Sequence, residues 1–283
     1  MKKIKYFLLT KSIGCYINLL SFIRPQKATA LAYTLFSNPR IGRLSKESLP
    51  MVLQDATTET LLFEEHEFQA YSWNGNDNKI LLVHGWESNT SRWEKFLPYL
   101  KRSGSTIFAI DAPAHGLSGG KEFSVPCYAD FIQVAVQKFQ PNALIGHSIG
   151  GAACVYFQYK YQNPKLEKMV LLGAPSDLEI LIHNYAWLLS LNAKMVRLLE
   201  AYYVKNFNFT LKEFSGKQFA QKLQLQGIIV HDRDDTIVAF TEGEKIASSW
   251  QHARFIATQG LGHSMHDDTL YQEIIHFLLE HKQ

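Results

Sequence analysis

Cysteine is scarce in this sequence. Cys15, Cys127 and Cys154 are spread over 283 residues. Their odd number and wide spacing fit neither a disulfide framework nor a zinc site, a pattern that suits a reducing compartment. Net charge is also small, since 29 basic and 26 acidic side chains leave +3. That field is too weak to point to a nucleic-acid partner. The uncharged stretch SIGCYINLLSFI stops after 12 residues, short of the ~20 that a bilayer-spanning helix needs. There is no internal repeat and no low-complexity segment. What is present is hydrophobic: 46% of the residues against 19% charged. That balance supports a sizeable core and argues against disorder. The length allows one large domain or two small ones.

Residues 1–40 stand apart as a basic, apolar arm. After MKKIKYFLLTK and the uncharged stretch comes Pro25, a favourable first helical residue. From there QKATALAYTLF predicts a second helix that ends before SNPR. A retained helical arm is expected. It would be dispensable for chemistry, because it precedes every motif described below, and would belong to a cytoplasmic protein. Its basic, apolar character offers a peripheral contact to a membrane surface. The alternative is a signal or anchor with export as its consequence and ATA at 28–30 as the cleavage site. Arg24 and Lys27 interrupt the path to that site, Lys11 interrupts the apolar run upstream, and Ser12 replaces the leucine of a lipoprotein box.

Over residues 60–283 strand and helix patterns alternate. LLFEEHEFQAYSW alternates loosely and reads as a hairpin or two short strands. KILLVHG, STIFAIDAP, NALIGH, EKMVLLGAP, QGIIVHD and ARFIATQG are continuous apolar runs, as expected of strands buried on both faces. SRWEKFLPYLKRSG, YADFIQVAVQKF, SIGGAACVYFQYKY, FTEGEKIASSW and HDDTLYQEIIHFLLEHK predict helices between and after them. The fold expected is α/β, with a mostly parallel central sheet flanked by helices. The alternation breaks once. Residues 177–222 carry helical spacing and no strand pattern, and predict a small helical lid over the C-terminal edge of the sheet, where open parallel sheets bind ligands. Tyr185, Trp187, Leu188, Leu189, Tyr202 and Tyr203 in that segment serve equally as the roof of an apolar pocket or as packing.

Gly146-His147-Ser148-Ile149-Gly150 is a G-x-S-x-G pattern with a strand before it and a helix after it. The glycines let the chain turn sharply and approach neighbouring backbone. The serine is then held strained at a helix N-terminus, where negative charge is favoured. A serine hydroxyl needs a base to become a nucleophile. His263, in TQGLGHSM after the last strand, is the candidate. His266 lies one turn further on and should point away. His84, His147 and His231 lie on or at the ends of strands and are expected to make structural hydrogen bonds. The base needs an orienting carboxylate. VHDRDDTIVAF offers Asp232, Asp234 and Asp235, of which Asp235 is expected to take that role and Asp232 to brace the turn. Oxyanion donors are expected at the backbone N–H groups of Trp86, after Gly85 in LLVHGWES, and of Ile149. Trp86 and Val238 are candidate substrate contacts, although packing serves equally for the Trp86 side chain. No metal-ligand pattern appears.

These motifs together resemble the α/β-hydrolase superfamily, in its serine esterase and lipase-like branch. The resemblance covers roughly residues 60–283 through HGW (84–86), DAPAHGLS (111–118), GHSIGG (146–151), HDRDDTIV (231–238) and GLGH (260–263), in family order. Ala114 stands where the D-x-P-G-H-G-x-S loop commonly has glycine. A serine nucleophile argues against the epoxide hydrolases and haloalkane dehalogenases, which use aspartate. The resemblance implies a serine hydrolase acting on a small-molecule carboxylic ester or thioester through a Ser-His-Asp triad and an acyl-enzyme, with no cofactor. The same triad also serves carbon–carbon bond hydrolases and acyltransferases, and some members are low-turnover receptors. The sequence leaves the acyl chain length and the oligomeric state open.

Overall fold

A computed structural model describes residues 2–280. The chain divides into two units, one of Pro39–Ser176 with Gly216–Gln283 and one of Met1–Asn38 with Asp177–Ser215. The helices in chain order are α1 (Lys2–Ile23), α2 (Pro25–Ser37), α3 (Met51–Gln54), α4 (Leu97–Arg102), α5 (Val125–Phe139) and α6 (Ile149–Tyr161). They continue with α7 (Leu178–Leu189), α8 (Ala193–Phe207), α9 (Gly216–Ala220), α10 (Phe240–Ala247) and α11 (Asp268–Leu279).

The larger unit is built on eight strands: β1 (Thr57–Phe63), β2 (His66–Trp73), β3 (Asn76–Val83), β4 (Ser105–Ile110), β5 (Ala143–His147), β6 (Lys168–Leu172), β7 (Gln226–Asp232) and β8 (Ala253–Thr258). Their order in the sheet is β1-β2-β4-β3-β5-β6-β7-β8. Of the two readings of this segment the structure takes the hairpin, β1 and β2 pairing antiparallel, and β2 joins β4 antiparallel. Every pairing from β4 across to β8 is parallel. The central strands are covered on both faces. Ile80–Val83, Leu144, Ile145, Val170, Leu171 and Ile228–Val230 are all buried, which is why they read as unbroken apolar runs. Val83 pairs with Gly146, and Gly146 with Leu171. The ends of β3, β5 and β6 are therefore level, and the loops that leave them share one edge.

Local signals set the helix ends. The Ser124 side chain accepts from the Cys127 amide at the start of α5, and Asp267 does the same for Leu270 at α11. The single helix expected over SRWEKFLPYLKRSG is two pieces. A 3₁₀ segment, Thr90–Lys95, precedes α4, in which Pro98 sits within the first two positions. Proline has no N–H to continue the hydrogen-bond ladder from the preceding turn, so a new helix starts there.

The smaller unit consists of α1, α2, α7 and α8. Ile17, Ala28, Ala32 and Tyr33 of the arm share one core with Ile182, Leu189, Met195 and Leu199. The helices of the arm and those after Asp177 therefore bury each other's apolar faces. A Cβ on Gly14 would fall 1.6 Å from the Leu189 carbonyl oxygen, so α1 crosses α7 at backbone contact. Beside that crossing, the Asn18 side chain donates to the Ser190 carbonyl at 2.8 Å and accepts from the Asn192 amide at 2.9 Å. Lys11 Nζ donates to the Trp187 and Leu188 carbonyls at 3.2 and 3.0 Å, at the C-terminal end of α7. Tyr185 donates to the Ala32 carbonyl at 2.8 Å, and the Tyr202 ring lies 4.4 Å from that of Tyr33. These two aromatics thus pack on the arm. The segment from 177 to 222 divides at Ser215, since α9 belongs to the larger unit.

Candidate active site

β5 ends at His147, and α6 begins at Ile149. Between them Ser148 has φ +54° and ψ −130°, a conformation that costs a non-glycine residue ~1–3 kcal/mol. Its amide donates to the Leu172 carbonyl at the end of β6, at 2.8 Å. A Cβ on Gly150 would lie 2.3 Å from the His84 carbonyl oxygen and 2.4 Å from that of Val83, so only glycine lets α6 start against the end of β3. Ile149 is the first residue of α6, and its amide is among those that a helix leaves without an intrahelical acceptor.

His263 reaches this serine from the short turn Gly262–Ser264 after β8. His263 Nε2 is 2.9 Å from Ser148 Oγ, and Nδ1 is 2.7 Å from Asp235 Oδ2. A carboxylate only accepts, so in the neutral ring Nδ1 carries the hydrogen and the Nε2 lone pair faces the hydroxyl. The other Asp235 oxygen accepts from the Ile237 and Val238 amides at 2.8 and 2.9 Å. Burial pushes the Asp235 carboxyl upward, but the His263 bond and these amides outweigh it and hold its pKa below the ordinary value.

Asp232 does not touch His263. Its Oδ2 accepts from Thr258 Oγ1 at 2.7 Å and the Leu261 amide at 3.0 Å, and its Oδ1 accepts from the Asp234 amide at 3.0 Å. It therefore pins the loop that leads from β8 to His263. Burial opposes its ionisation, yet these donors hold its pKa below the ordinary carboxylate value. Asp234 accepts from the Gly260 amide at 3.1 Å. Val238 is buried, and its carbonyl lies 3.0 Å from His231 Nε2. His266 has the Tyr271 hydroxyl as its partner, at 2.5 Å.

The turn after β3 lies against the serine, since a Cβ on Gly85 would stand 2.9 Å from Ser148 Cβ. His84 fixes that turn. Its Nε2 accepts from the Ala112 amide at 3.0 Å, which leaves Nδ1–H to donate to the Gly85 carbonyl at 2.8 Å. Burial brings the His84 pKa down to about 4, so the ring stays neutral in this role. The Gly85–Trp86 peptide is trans, so the Trp86 N–H points opposite to that carbonyl and away from His84. The Trp86 ring packs edge-on against His115 at 5.3 Å and Phe123 at 5.4 Å.

The DAPAHGLS loop braces this edge from behind. Buried Asp111 accepts from the Thr90 amide and hydroxyl at 2.9 Å, from the Leu117 amide at 2.9 Å and from Tyr71 at 2.8 Å. Burial raises its pKa despite these donors. Ala114 has φ +64°, so this chain keeps the left-handed turn where the family commonly has glycine.

Two residues hold the His263 turn in place: His147, read from the sequence as making a structural hydrogen bond, and Arg92, which no motif announces. His147 Nε2 lies 2.9 Å from the His263 carbonyl oxygen, which only accepts, so the histidine donates. Burial holds the His147 pKa well below its ordinary value. Arg92 donates to the next carbonyl, that of Ser264, at 2.9 Å. Both targets are backbone atoms, which sequence spacing does not reveal. Among the described residues no group of three His, Cys, Asp or Glu side chains has the arrangement to hold a metal ion.

A family model described as the alpha/beta hydrolase fold matches residues 78–228, more than half of the chain. The chain belongs to the alpha/beta hydrolase fold family. Among curated proteins it is similar to the bifunctional esterase/perhydrolase DCH of Acinetobacter calcoaceticus, at 26% identity over 113 residues, 38% of this chain and 41% of that protein. It is also similar to a pimeloyl-[acyl-carrier protein] methyl ester esterase of Neisseria meningitidis, at 27% identity over 154 residues, 53% of this chain and 57% of that protein. The chain thus spans about half the length of these two relatives. Among solved structures, the bromoperoxidase of Bacillus anthracis superposes with a TM-score of 0.62 at 15% identity, covering 79% of this chain and 100% of that one. At that identity the likeness is one of fold.

Proposed function

We propose that this alpha/beta hydrolase is a serine hydrolase that cleaves a small-molecule carboxylic ester or thioester through an acyl-enzyme. The observation that carries the reading is the unbroken hydrogen-bonded chain from Asp235 through His263 to a strained Ser148. Ser148 Oγ attacks the acyl carbonyl while His263 Nε2 takes its proton. Asp235 keeps the imidazole in the required tautomer and stabilises the imidazolium that forms. The carbonyl oxygen becomes an oxyanion, with the Trp86 and Ile149 N–H groups as its donors. His263 then returns the proton to the departing alcohol or thiol, leaving the acyl group on Ser148. A water molecule, deprotonated in turn by His263, hydrolyses that intermediate and restores the serine. The esterase names of the two curated relatives are in keeping with an ester substrate.

The test is labelling by a fluorophosphonate probe, which reports serine reactivity without a substrate guess, alongside a series of chromogenic esters of graded acyl length. The wild-type protein labels and turns over at least part of the series, and Ser148→Ala does neither while melting as the wild type does. Labelling that persists in Ser148→Ala refutes the assignment of the nucleophile. A wild-type protein that neither labels nor hydrolyses any ester refutes the function.

A further inference from the structure

Helix α1 packs through one face and leaves large apolar side chains exposed on the other. Its packed face carries Thr10, Gly14, Ile17 and Ser21, with Ile13 and Leu20 set beside them against the shared core. Its opposite face carries Tyr16, Leu19, Phe22 and Ile23, which are 58%, 62%, 67% and 77% exposed. These positions follow helical spacing and form one continuous stripe. Trp187 of α7 is 79% exposed, and Lys11 links it to α1 by lying 5.6 Å above its ring while bonding its carbonyl. A soluble surface seldom presents so many large apolar side chains together without a partner.

The charge of the unit says what kind of partner this is. Residues 1–38 contain six lysines and arginines and no acid. With Asp177–Ser215 the unit carries ten basic and four acidic side chains, a net +6. The rest of the chain carries 19 basic and 22 acidic, a net −3. Cations sit directly beside the apolar stripe. Lys194 lies 4.5 Å above the Phe22 ring, and Arg24 and Lys27 follow Ile23. Exposed aromatics with flanking cations on a helix ~33 Å long are the makeup of an element that lies in the plane of a membrane interface. Among the described residues no helix is long and apolar enough to cross a membrane.

We propose that the exposed stripe of α1, with Trp187 of α7, docks this protein on an anionic lipid bilayer, apolar side chains in the interface and cations at the headgroups. The surface is independent of the chemistry at Ser148. The test is flotation of the full-length protein with phosphatidylcholine vesicles, with and without about one-third phosphatidylglycerol. The wild-type protein floats with the anionic vesicles, less so at high salt, and not with the neutral ones. Leu19→Gln/Phe22→Gln weakens binding roughly tenfold for each side chain, with an unchanged melting temperature because both lie outside the core. Arg24→Gln/Lys27→Gln, a second variant that leaves the apolar stripe intact, weakens it about fivefold for each charge. Binding that is absent from anionic vesicles, or equal in wild type and both variants, overturns the proposal. So does a wild-type dimer in light scattering that Leu19→Gln/Phe22→Gln converts to a monomer, since the stripe would then be an interface between two copies.

Discussion

Asp235→Asn is nearly isosteric, yet the structure dictates which way the new amide must point. One oxygen of Asp235 accepts from the amides of Ile237 and Val238. An NH₂ group there would set donor against two donors, so the asparagine oxygen takes that place. Its NH₂ then faces His263 Nδ1, which must accept. The imidazole is driven into the other tautomer, with Nε2–H pointing at a hydroxyl that needs a base. The equivalent change in serine proteases costs about 10⁴ in turnover, or roughly 5.5 kcal/mol in the barrier. A loss of that order is expected here, with little change in melting temperature. Asp232→Asn perturbs a different network. Three donors converge on its two oxygens, so the amide leaves at least one of them facing an NH₂, at a stability cost of about 1–3 kcal/mol. Turnover should fall far less, because His263 keeps its own carboxylate. The assay is ester turnover with thermal melting on both purified variants. A well-folded, inactive Asp232→Asn beside a near-wild-type Asp235→Asn would refute the assignment.

Ser148→Gly should abolish turnover yet raise stability by about 1 kcal/mol, because glycine adopts the φ of +54° without strain. Calorimetry reads this as a melting temperature higher by about 2 °C, and no increase would mean that the elbow formed by Ser148 between β5 and α6 stores no strain. His147→Ala removes the bond to the His263 carbonyl and should lower kcat by about tenfold or more with KM little changed. An unchanged kcat would reduce His147 to a packing residue. The pH dependence follows from the carboxyls. Asp232 has a folded pKa below its ordinary 3.8, so the stability it contributes is present above that value and lost as pH falls through the folded one. Melting followed downward from pH 5 should therefore fall less steeply in Asp232→Asn than in the wild type.

The parallel sheet was legible because its physical cause is local: strands such as Ile80–Val83, covered on both faces, need unbroken apolar runs. The elbow was legible for the same reason, since a strand, a strained serine and a helix must follow one another within eight residues, LIGHSIGG. What holds the site in working order was less so. Arg92 and His147 act on backbone carbonyls, and any residue type can supply a carbonyl, so the acceptors leave no trace in the sequence. The arm was harder still. Its two helices could be read from Pro25 and the apolar spacing, but their partners lie more than 140 residues away, beyond the reach of any periodicity. A helix is ordinarily oriented by assigning its apolar stripe to the core. For α1 that rule does not choose between the two faces, because Ile13, Ile17 and Leu20 pack on the shared core while Tyr16, Leu19, Phe22 and Ile23 are exposed. The close approach of Gly14 to Leu189 and the bonds of Asn18 to Ser190 and Asn192 select the packed face, and a second apolar stripe is left exposed. A helix that exposes this many large side chains is stable only if tertiary contacts outweigh the exposed surface, or if that surface has somewhere to go. The first condition is met by the core shared with α7 and α8. The second is what the vesicle experiment decides.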